Sequence, residues 1–242
     1  MIYEGDRIET VWFDLDDTLI DFVANSRTSL AIVYDTLPQL QALFAGSDRW
    51  IERYEYHNHR LWDLYSRAEI ERDYLRMERF RLPLTEAGMA DSEARLLSEY
   101  LDTYYLDTLA GQTAMVEGAV ELLKAVRAQG DIKIGVLSNG FADVQYRKIA
   151  NTGLTDLIDI TVLSDDIDVN KPDRRLFDYA AAKAGSPTPG SNLMIGDNAL
   201  TDIAGALGAG WHAIWLNLRS AKSAPGCAIA RTAAEIGKIL GL

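Results

Sequence analysis

Two carboxylates follow the first strongly apolar run of the chain. Asp14 and Asp16 belong to the segment Asp14-Leu15-Asp16-Asp17-Thr18, directly after Val11-Trp12-Phe13. Because side chains alternate along an extended chain, residues two apart point to the same side. Such a pair could hold a hard divalent cation, and one aspartate could act as a nucleophile in phosphoryl chemistry. The segment is equally compatible with an acidic turn after a buried strand, so the rest of the chain must decide.

Three further polar segments accompany separate apolar runs. Ser138-Asn139-Gly140 follows Ile132 to Leu137, Lys171-Pro172 precedes a helical pattern, and Gly196-Asp197-Asn198 follows Asn192 to Ile195. Taken singly, each is more typical of an ordinary turn or helix start. Their order along the chain and their complementary chemistry favour a single site.

The oxygen ligands in this set suit magnesium. Asp14, Asp197 and a main-chain carbonyl near Asp16 are hard donors, which Mg²⁺ prefers and which zinc and copper do not. Asp202 comes five residues after Asp197. It would hold Lys171 in place or support the metal ligands.

The remaining groups are suited to a phosphoryl group. Ser138 and the amides after it, from Asn139 onwards, lie near a predicted helix start and can donate hydrogen bonds to phosphate oxygens. Lys171 offers a compact cation for the charge on a transferring phosphoryl group. The residue types therefore point to phosphoryl transfer assisted by a divalent cation.

Short apolar runs that alternate with amphipathic helices must position these groups. Such runs predict strands covered on both faces, and their alternation with helices predicts a parallel α/β sheet. Ligands of such sheets bind beyond the carboxyl ends of the strands, where the polar segments fall. The predicted strands are Thr10 to Phe13, Ile132 to Leu137, Ile158 to Leu163, Asn192 to Ile195 and His212 to Leu216. The predicted helices of this part are Ala119 to Gln129, Asp143 to Asn151, Arg174 to Ala184, Asp202 to Leu207 and Ala233 to Leu240.

A long helical stretch interrupts the alternation after the first strand. We expect residues 1–20 and 109–242 to form the α/β catalytic core and residues 21–108 to form an inserted, all-helical cap. Pro83 and Gly88 are expected to break helices. The predicted cap helices are Ser26 to Leu43, Asp48 to Tyr65, Glu69 to Arg81 and Asp91 to Leu106.

Composition excludes several classes of protein. The formal net charge of −12 argues against binding to nucleic acid or to anionic membranes, although not against a small phosphorylated substrate. No apolar run approaches the roughly 20 residues that a membrane span requires. The lone Cys227 cannot form an internal disulfide, which favours a cytoplasmic location. A monomer and a homodimer are both compatible with the sequence.

The four motifs together resemble those of the haloacid dehalogenase-like hydrolase superfamily, in the branch with a helical cap. The matching segments are DLDDT at 14–18, the serine of SNG at 138, Lys171 in NKPDRRLFDYA, and GDNALTD at 196–202. The resemblance covers nearly the whole chain. It implies a Rossmann-like core with a cap inserted after the first motif.

The resemblance also implies roles for the two acids of the first motif. Asp14 would be the nucleophile that forms an aspartyl-phosphate, and Asp16 would protonate the leaving oxygen and later activate water. Thr18 would help to orient Asp16 and to bind phosphate. In the dehalogenase branch the position of Asp16 is not acidic, so its presence here points to phosphate esters.

The same resemblance assigns the other motif residues. Ser138 and Asn139 would bind phosphate, and Lys171 would neutralise the phosphoryl charge. Asp14, Asp16 and Asp197 would supply the Mg²⁺ ligands, with Asp202 and Asn198 in supporting positions.

Residues 56–80 and 210–217 are similar to bacterial pyrimidine 5′-nucleotidases of this superfamily, which implies nucleoside 5′-monophosphates as substrates. The aromatic residues of the first segment are also compatible with simple packing inside the cap. A sugar-phosphate or phosphoglycolate-type phosphatase and a phosphomutase remain open, because the core motifs recognise only the phosphoryl group. A haloacid dehalogenase and a non-catalytic binding protein on the same fold are the more distant alternatives.

Overall fold

The computed structural model describes residues 1–218 and 226–242. The chain forms two compact units, one comprising residues 1–22 and 113–242 and the other residues 23–112. These bounds lie two to four residues from the bounds expected from the sequence. The functional assignment of the units as a catalytic core and a cap stays a prediction.

The first unit contains a six-stranded parallel sheet with strand order β5-β4-β3-β6-β7-β8. A short antiparallel hairpin, β1 and β2, precedes it. β3 lies in the middle, and Val11 is paired with Ile134 on one side and Leu193 on the other. The strands are β1 (Ile2–Tyr3), β2 (Asp6–Arg7), β3 (Thr10–Phe13), β4 (Lys133–Ser138), β5 (Ile160–Leu163), β6 (Asn192–Gly196), β7 (His212–Leu216) and β8 (Ala228–Ala230).

The strand prediction was correct in kind and incomplete in number. The five predicted strands are present with shifts of at most two residues, whereas β1, β2 and β8 were not predicted. Each of these three has only two or three residues. Such short runs carry no measurable periodicity.

Helices cover the sheet, and buried apolar side chains fill both faces. Val11 and Phe13 belong to the cluster on one face, and Trp12 belongs to the cluster on the other, as alternation along β3 requires. The helices of this unit that follow the insertion are α6 (Ala119–Arg127), α7 (Ala142–Asn151), α8 (Arg174–Ala184), α9 (Ala204–Gly208) and α10 (Ala233–Leu240).

One of these helices differs from its prediction. The segment expected as a helix from Asp202 to Leu207 begins earlier, as one wide turn of π-helix over Ala199–Ile203 that continues into α9. Wide turns of this kind are frequent at functional sites. Here the turn carries Asp202.

The second unit is all-helical, as expected. Its helices are α1 (Phe22–Thr36), whose first residue belongs to the core unit, α2 (Pro38–Leu43), α3 (Ser47–Ser66), α4 (Arg72–Glu86) and α5 (Asp91–Ala110). The single helix predicted from Ser26 to Leu43 is therefore wrong. Pro38 opens a new helix at its first turn, because a proline restricts the preceding residue, Leu37, to an extended conformation.

The prediction that Pro83 breaks a helix is also wrong. Pro83 lies inside α4 and is buried, and the helix continues to Glu86. Its packing in the core of the helical unit compensates for the hydrogen bond that proline cannot donate. Within residues 1–218 and 226–242, no helix combines the length and the apolar character needed to cross a membrane.

Candidate active site

The loop after β3 turns sharply and presents its two predicted catalytic acids. The N–H of Asp14 donates to the carbonyl of Ile195 on β6 at 2.9 Å, which extends the sheet by one residue. Asp17 adopts a left-handed conformation with φ of 56°, and the N–H groups of Leu19 and Ile20 both donate to the carbonyl of Leu15. The loop therefore folds back at the end of the central strand.

Lys171 is the centre of the site. Its side chain is only 2% exposed, and its ammonium group donates to Asp14 Oδ1 and to the carbonyl of Leu137, each at 2.7 Å. Asp202 Oδ1 lies 2.7 Å from the same nitrogen. Three acceptors thus match the three N–H groups of one lysine. That Asp202 serves to hold Lys171 stays a prediction about function.

Two neighbours hold Asp197 and Asp202 at the end of β6. The indole N–H of Trp215 on β7 donates to the carbonyl of Asp197 at 2.7 Å. Asp202 Oδ2 accepts the N–H of Asn198 at 3.0 Å. A Cβ on Gly196 would overlap with the carboxylate of Asp202, so glycine is the residue that allows this close approach.

Asp14, Asp197 and Asp202 form an acidic cluster. Each offers a carboxylate oxygen, and these oxygens lie within 4.8 Å of one another. A set of hard oxygen donors at this spacing fits Mg²⁺. Asp14 and Asp197 are two of the predicted ligands. Asp202 is a third carboxylate in reach, whereas the Asp16 side chain is not a member of the cluster, and a ligand from the main chain near Asp16 stays a prediction.

The electrostatics of this cluster favour bound cations. Burial raises the pKa of Asp14 to about 7 against the opposing effect of Lys171, and burial together with the charges of Asp202 and Asp14 raises the pKa of Asp197 to about 9. Burial alone would lower the pKa of Lys171, but the charges of Asp14 and Asp202 raise it above its ordinary value. Lys171 is therefore a permanent cation, and the raised pKa values of Asp14 and Asp197 indicate that a further cation would be needed for all three carboxylates to be ionised together.

Ser138 ends β4 beside this site. Its buried Oγ accepts from the N–H of Gly140 at 3.1 Å and from the side chain of Gln145 at 2.8 Å. Each of these contacts leaves the hydroxyl proton available. Ser138 therefore keeps one donor for a phosphate oxygen.

The side chain of Asn139 is hydrogen-bonded to the main chain of Lys171, and the role of Asn139 in phosphate binding stays a prediction. Its side-chain amide donates to the carbonyl of Lys171 at 3.0 Å, and its Oδ1 accepts the N–H of Lys171 at 2.7 Å. This pair of bonds fixes the main chain at Lys171, where the peptide bond to Pro172 is cis. A contact between the Asn139 side chain and phosphate would have to replace one of these bonds.

The carboxylate of Asp16 faces α7. Lys148 Nζ lies 2.8 Å from Asp16 Oδ1 and 3.0 Å from Oδ2, and the side chain of Gln145 donates to Oδ2 at 2.9 Å. Neither Gln145 nor Lys148 was singled out from the sequence. The available signal was their place among Val144 and Ile149, because two polar residues interrupt the apolar stripe of an amphipathic helix.

Thr18 does not orient Asp16 as expected. Its hydroxyl is buried and has no hydrogen-bond partner among residues 1–218 and 226–242. The partners of Asp16 are those on α7 instead. Asn198 caps the helical turn that follows it, since its Oδ1 accepts the N–H groups of Leu200 and Thr201 at 2.9 and 3.1 Å. This places Asn198 in support of the segment that carries Asp202.

Within the helical unit, the residues singled out in 56–80 have partners of their own. Leu61 is buried, and Trp62 packs edge-to-face with Tyr65 at 5.5 Å between ring centroids. His57 Nε2 lies 3.0 Å from a carboxylate oxygen of Glu86. His59, Arg60 and Arg67, the other basic residues singled out, are exposed; Arg60 donates to the Tyr56 hydroxyl and Arg67 pairs with Glu69.

Comparison with known proteins places this fold and site in one family. A model of the haloacid dehalogenase-like hydrolases matches residues 8–210. The pyrimidine 5′-nucleotidase YjjG of Escherichia coli K12 is 32% identical over 229 residues, which cover 95% of each chain. The pyrimidine 5′-nucleotidase PynA of Streptococcus pneumoniae R6 is 27% identical over 207 residues, which cover 85% of this chain and 82% of PynA.

A solved structure agrees with these relatives. The magnesium-bound crystal structure of the HAD-hydrolase YfnB of Bacillus subtilis aligns with a TM-score of 0.85 at 26% identity, covering 98% of this chain and 100% of that one. The chain belongs to the haloacid dehalogenase-like hydrolase family. It is a hydrolase with the parallel α/β core of that family.

Proposed function

We propose that the protein is a Mg²⁺-dependent phosphomonoesterase that acts through an aspartyl-phosphate on Asp14. The observation that carries the proposal is the contact of Asp14 with Lys171 inside a cluster of three carboxylates. An acidic nucleophile and a fixed cation are the groups that phosphoryl transfer requires of a protein. Asp16, on the same loop, supplies the acid and base.

Four side chains of the site take part in the proposed reaction. An oxygen of Asp14 attacks phosphorus, and the bond from phosphorus to the leaving oxygen breaks as Asp16, which must enter this step protonated, gives that oxygen its proton. Lys171 and Ser138 bind the phosphoryl oxygens on which charge is concentrated. Asp16 then accepts a proton from water as water attacks phosphorus, which releases phosphate and restores Asp14.

Mg²⁺ would be held by Asp14, Asp197 and a main-chain carbonyl near Asp16, with Asp202 in reach. When bound, it would neutralise charge on the phosphoryl oxygens and so reduce the repulsion between the substrate and Asp14. The donor chemistry of the acidic cluster supports this ion over softer metals.

For the substrate, we propose nucleoside 5′-monophosphates of the pyrimidine type. Two relatives that align over most of this chain are named pyrimidine 5′-nucleotidases, which supports this class. The groups around Asp14 recognise only the phosphoryl group. We therefore propose that the helical unit is the cap expected from the sequence and that it selects the leaving group. The cytoplasmic location and the monomeric or homodimeric state stay predictions.

The test is phosphate release from a panel of esters in the presence of Mg²⁺. The panel contains UMP and dTMP, purine monophosphates, sugar phosphates and phosphoglycolate. Preference for the pyrimidine monophosphates is expected. Preference for sugar phosphates or phosphoglycolate would support the proposed phosphomonoesterase reaction but contradict the proposed nucleotide substrate. The absence of phosphate release from every ester would contradict the proposed phosphomonoesterase activity itself.

A further inference from the structure

The buried face of α7 carries two polar side chains that no motif of the sequence includes. Gln145 is 1% exposed and Lys148 is 4% exposed, and they lie three residues apart on the same side of the helix. A buried lysine is costly unless a partner compensates for its lost hydration. Both side chains should therefore have a specific partner.

That partner is Asp16. Lys148 binds both carboxylate oxygens, and Gln145 binds the second of them. Three donor contacts fix the position and the plane of one carboxylate, and the ionic contacts are of the stronger, charge-assisted kind. The ammonium group of Lys148 also lies over the aromatic ring of Phe22, with 5.1 Å from Nζ to the ring centroid. This cation–π contact helps to keep the ammonium group in place.

Gln145 also connects this carboxylate to the predicted phosphate site. Its amide nitrogen lies 2.8 Å from the Oγ of Ser138 and 2.9 Å from Asp16. A single side chain thus sets the distance between the residue that would bind phosphate and the residue that would protonate the leaving oxygen. A Cβ on Gly140 would overlap with the side chain of Gln145, so the glycine after Ser138 and Asn139 leaves the space that this contact needs.

We infer that Lys148 and Gln145 are positioning residues for Asp16 in the second part of the site, the part that handles the leaving group. The inference rests on the proposed phosphomonoesterase function. Lys148 and Gln145 act through Asp16 and Ser138. Their loss should weaken proton transfer to the leaving oxygen more than it weakens attack by Asp14 on phosphorus.

Two substrates with different leaving groups separate these effects. Nitrophenolate departs from p-nitrophenyl phosphate without protonation, whereas the alkoxide of an alkyl phosphate such as phenethyl phosphate needs a proton from Asp16. General acid catalysis contributes about 10²- to 10⁴-fold. In Lys148→Met, we expect kcat/KM for phenethyl phosphate to fall at least about tenfold more than kcat/KM for p-nitrophenyl phosphate.

Matched variants identify the cause of that difference. Lys148→Arg keeps a cation and its donors, and should recover most of the alkyl-phosphate activity. Lys124→Met makes the same chemical change on the exposed face of α6 and should behave as wild type with both substrates. Gln145→Met removes a donor from Asp16 without leaving an unpaired charge and is the second variant if Lys148→Met does not fold. Because it also removes a contact with Ser138, it should lower kcat/KM for both esters, and that for phenethyl phosphate more.

The outcomes distinguish the inference from the function on which it rests. A selective loss in Lys148→Met or Gln145→Met, with recovery in Lys148→Arg, would support it. Equal losses with both esters, or no loss, in variants of an active enzyme would overturn the positioning role alone. A wild-type enzyme that hydrolyses neither these two esters nor any ester of the panel above in the presence of Mg²⁺ would overturn the proposed function and this inference with it.

Discussion

Lys171 Nζ lies 2.7 Å from Asp14 Oδ1, although 157 residues of sequence separate the two. The same nitrogen lies 2.7 Å from Asp202 Oδ1, so one lysine is shared by two buried carboxylates. The arrangement has two consequences. It holds a carboxylate where a substrate phosphorus could be attacked, and it makes the stability of this region depend on a single cation.

Lys171→Met should damage both activity and stability. The variant leaves Asp14 and Asp202 buried without their cation, and breaking a buried ion pair typically costs about 3–5 kcal/mol. We expect a lower urea midpoint at pH 8 and at least a hundredfold loss in kcat/KM, on the order expected when electrostatic stabilisation is removed. Lys133→Met, which loses only a contact with the carbonyl of Ala184, is the control. Stability equal to that of wild type would contradict the shared-cation account.

Asp197→Asn should stabilise the metal-free protein at alkaline pH. Burial, aided by the charges of Asp202 and Asp14, raises the pKa of Asp197 to about 9, well above the unfolded value of roughly 3.9. A raised pKa gives stability that is fully present below about pH 4 and is lost as the pH rises through about 9. The asparagine cannot ionise, so its Tm in EDTA should match wild type at pH 4 and exceed it by about 2–4 °C or more at pH 9.

The control for this measurement is Asp156→Asn, which removes an exposed carboxylate outside the acidic cluster. Its Tm should follow that of wild type at both pH values. An Asp197→Asn variant that is less stable than wild type at pH 9 in EDTA would show that the carboxylate is not under electrostatic strain.

Removal of divalent cations should abolish turnover, and added Mg²⁺ should restore it. The three carboxylates of the cluster repel one another, and a bound cation reverses the local field. Because Asp197 is one of the ligands we propose, Asp197→Asn should raise the Mg²⁺ concentration for half-maximal activity by at least about tenfold. Phosphate release after EDTA dialysis, titrated with Mg²⁺, measures both effects. Full activity in EDTA would show that the reaction does not require a divalent cation.

Gly196→Ala should impair the site although it adds only a methyl group. The new Cβ would overlap with the carboxylate of Asp202 and push it away from Lys171. We expect at least a tenfold loss of kcat/KM and a loss of about 1–3 kcal/mol in unfolding free energy, as overpacking typically causes. Gly208→Ala is the matched control, because its Cβ would meet no atom within 4 Å. A Gly196→Ala enzyme with wild-type kinetics would show that Asp202 can move freely.

The sequence predicted the residues at the ends of the strands better than their individual contacts. β3, β4 and β6 are apolar and buried, and in a parallel sheet their carboxyl ends must meet at one edge. This is why Asp14, Ser138 and Asp197 could be placed near one another without coordinates.

The partners of Asp16 could not be predicted in the same way. The family resemblance implied Thr18 as the residue that orients Asp16, whereas Gln145 and Lys148 are 129 and 132 residues away from Asp16. Only the rotation of α7 over the end of β4 decides which of its side chains reach that loop. The prediction that Pro83 breaks a helix was wrong for a related reason, because packing inside the helical unit overrides the local preference of one residue.

The most direct test of the central claim is to trap the covalent intermediate on Asp14. Wild-type protein mixed with substrate and Mg²⁺ is quenched within the first turnover and treated with borohydride, which reduces an aspartyl-phosphate to homoserine. Peptide mass spectrometry should find homoserine at position 14, only with substrate and Mg²⁺ present. Asp14→Asn should give none and lose roughly 10³-fold or more in kcat while remaining folded. An active wild-type enzyme whose homoserine appears at another aspartate, or an Asp14→Asn variant with near wild-type turnover, would contradict the account.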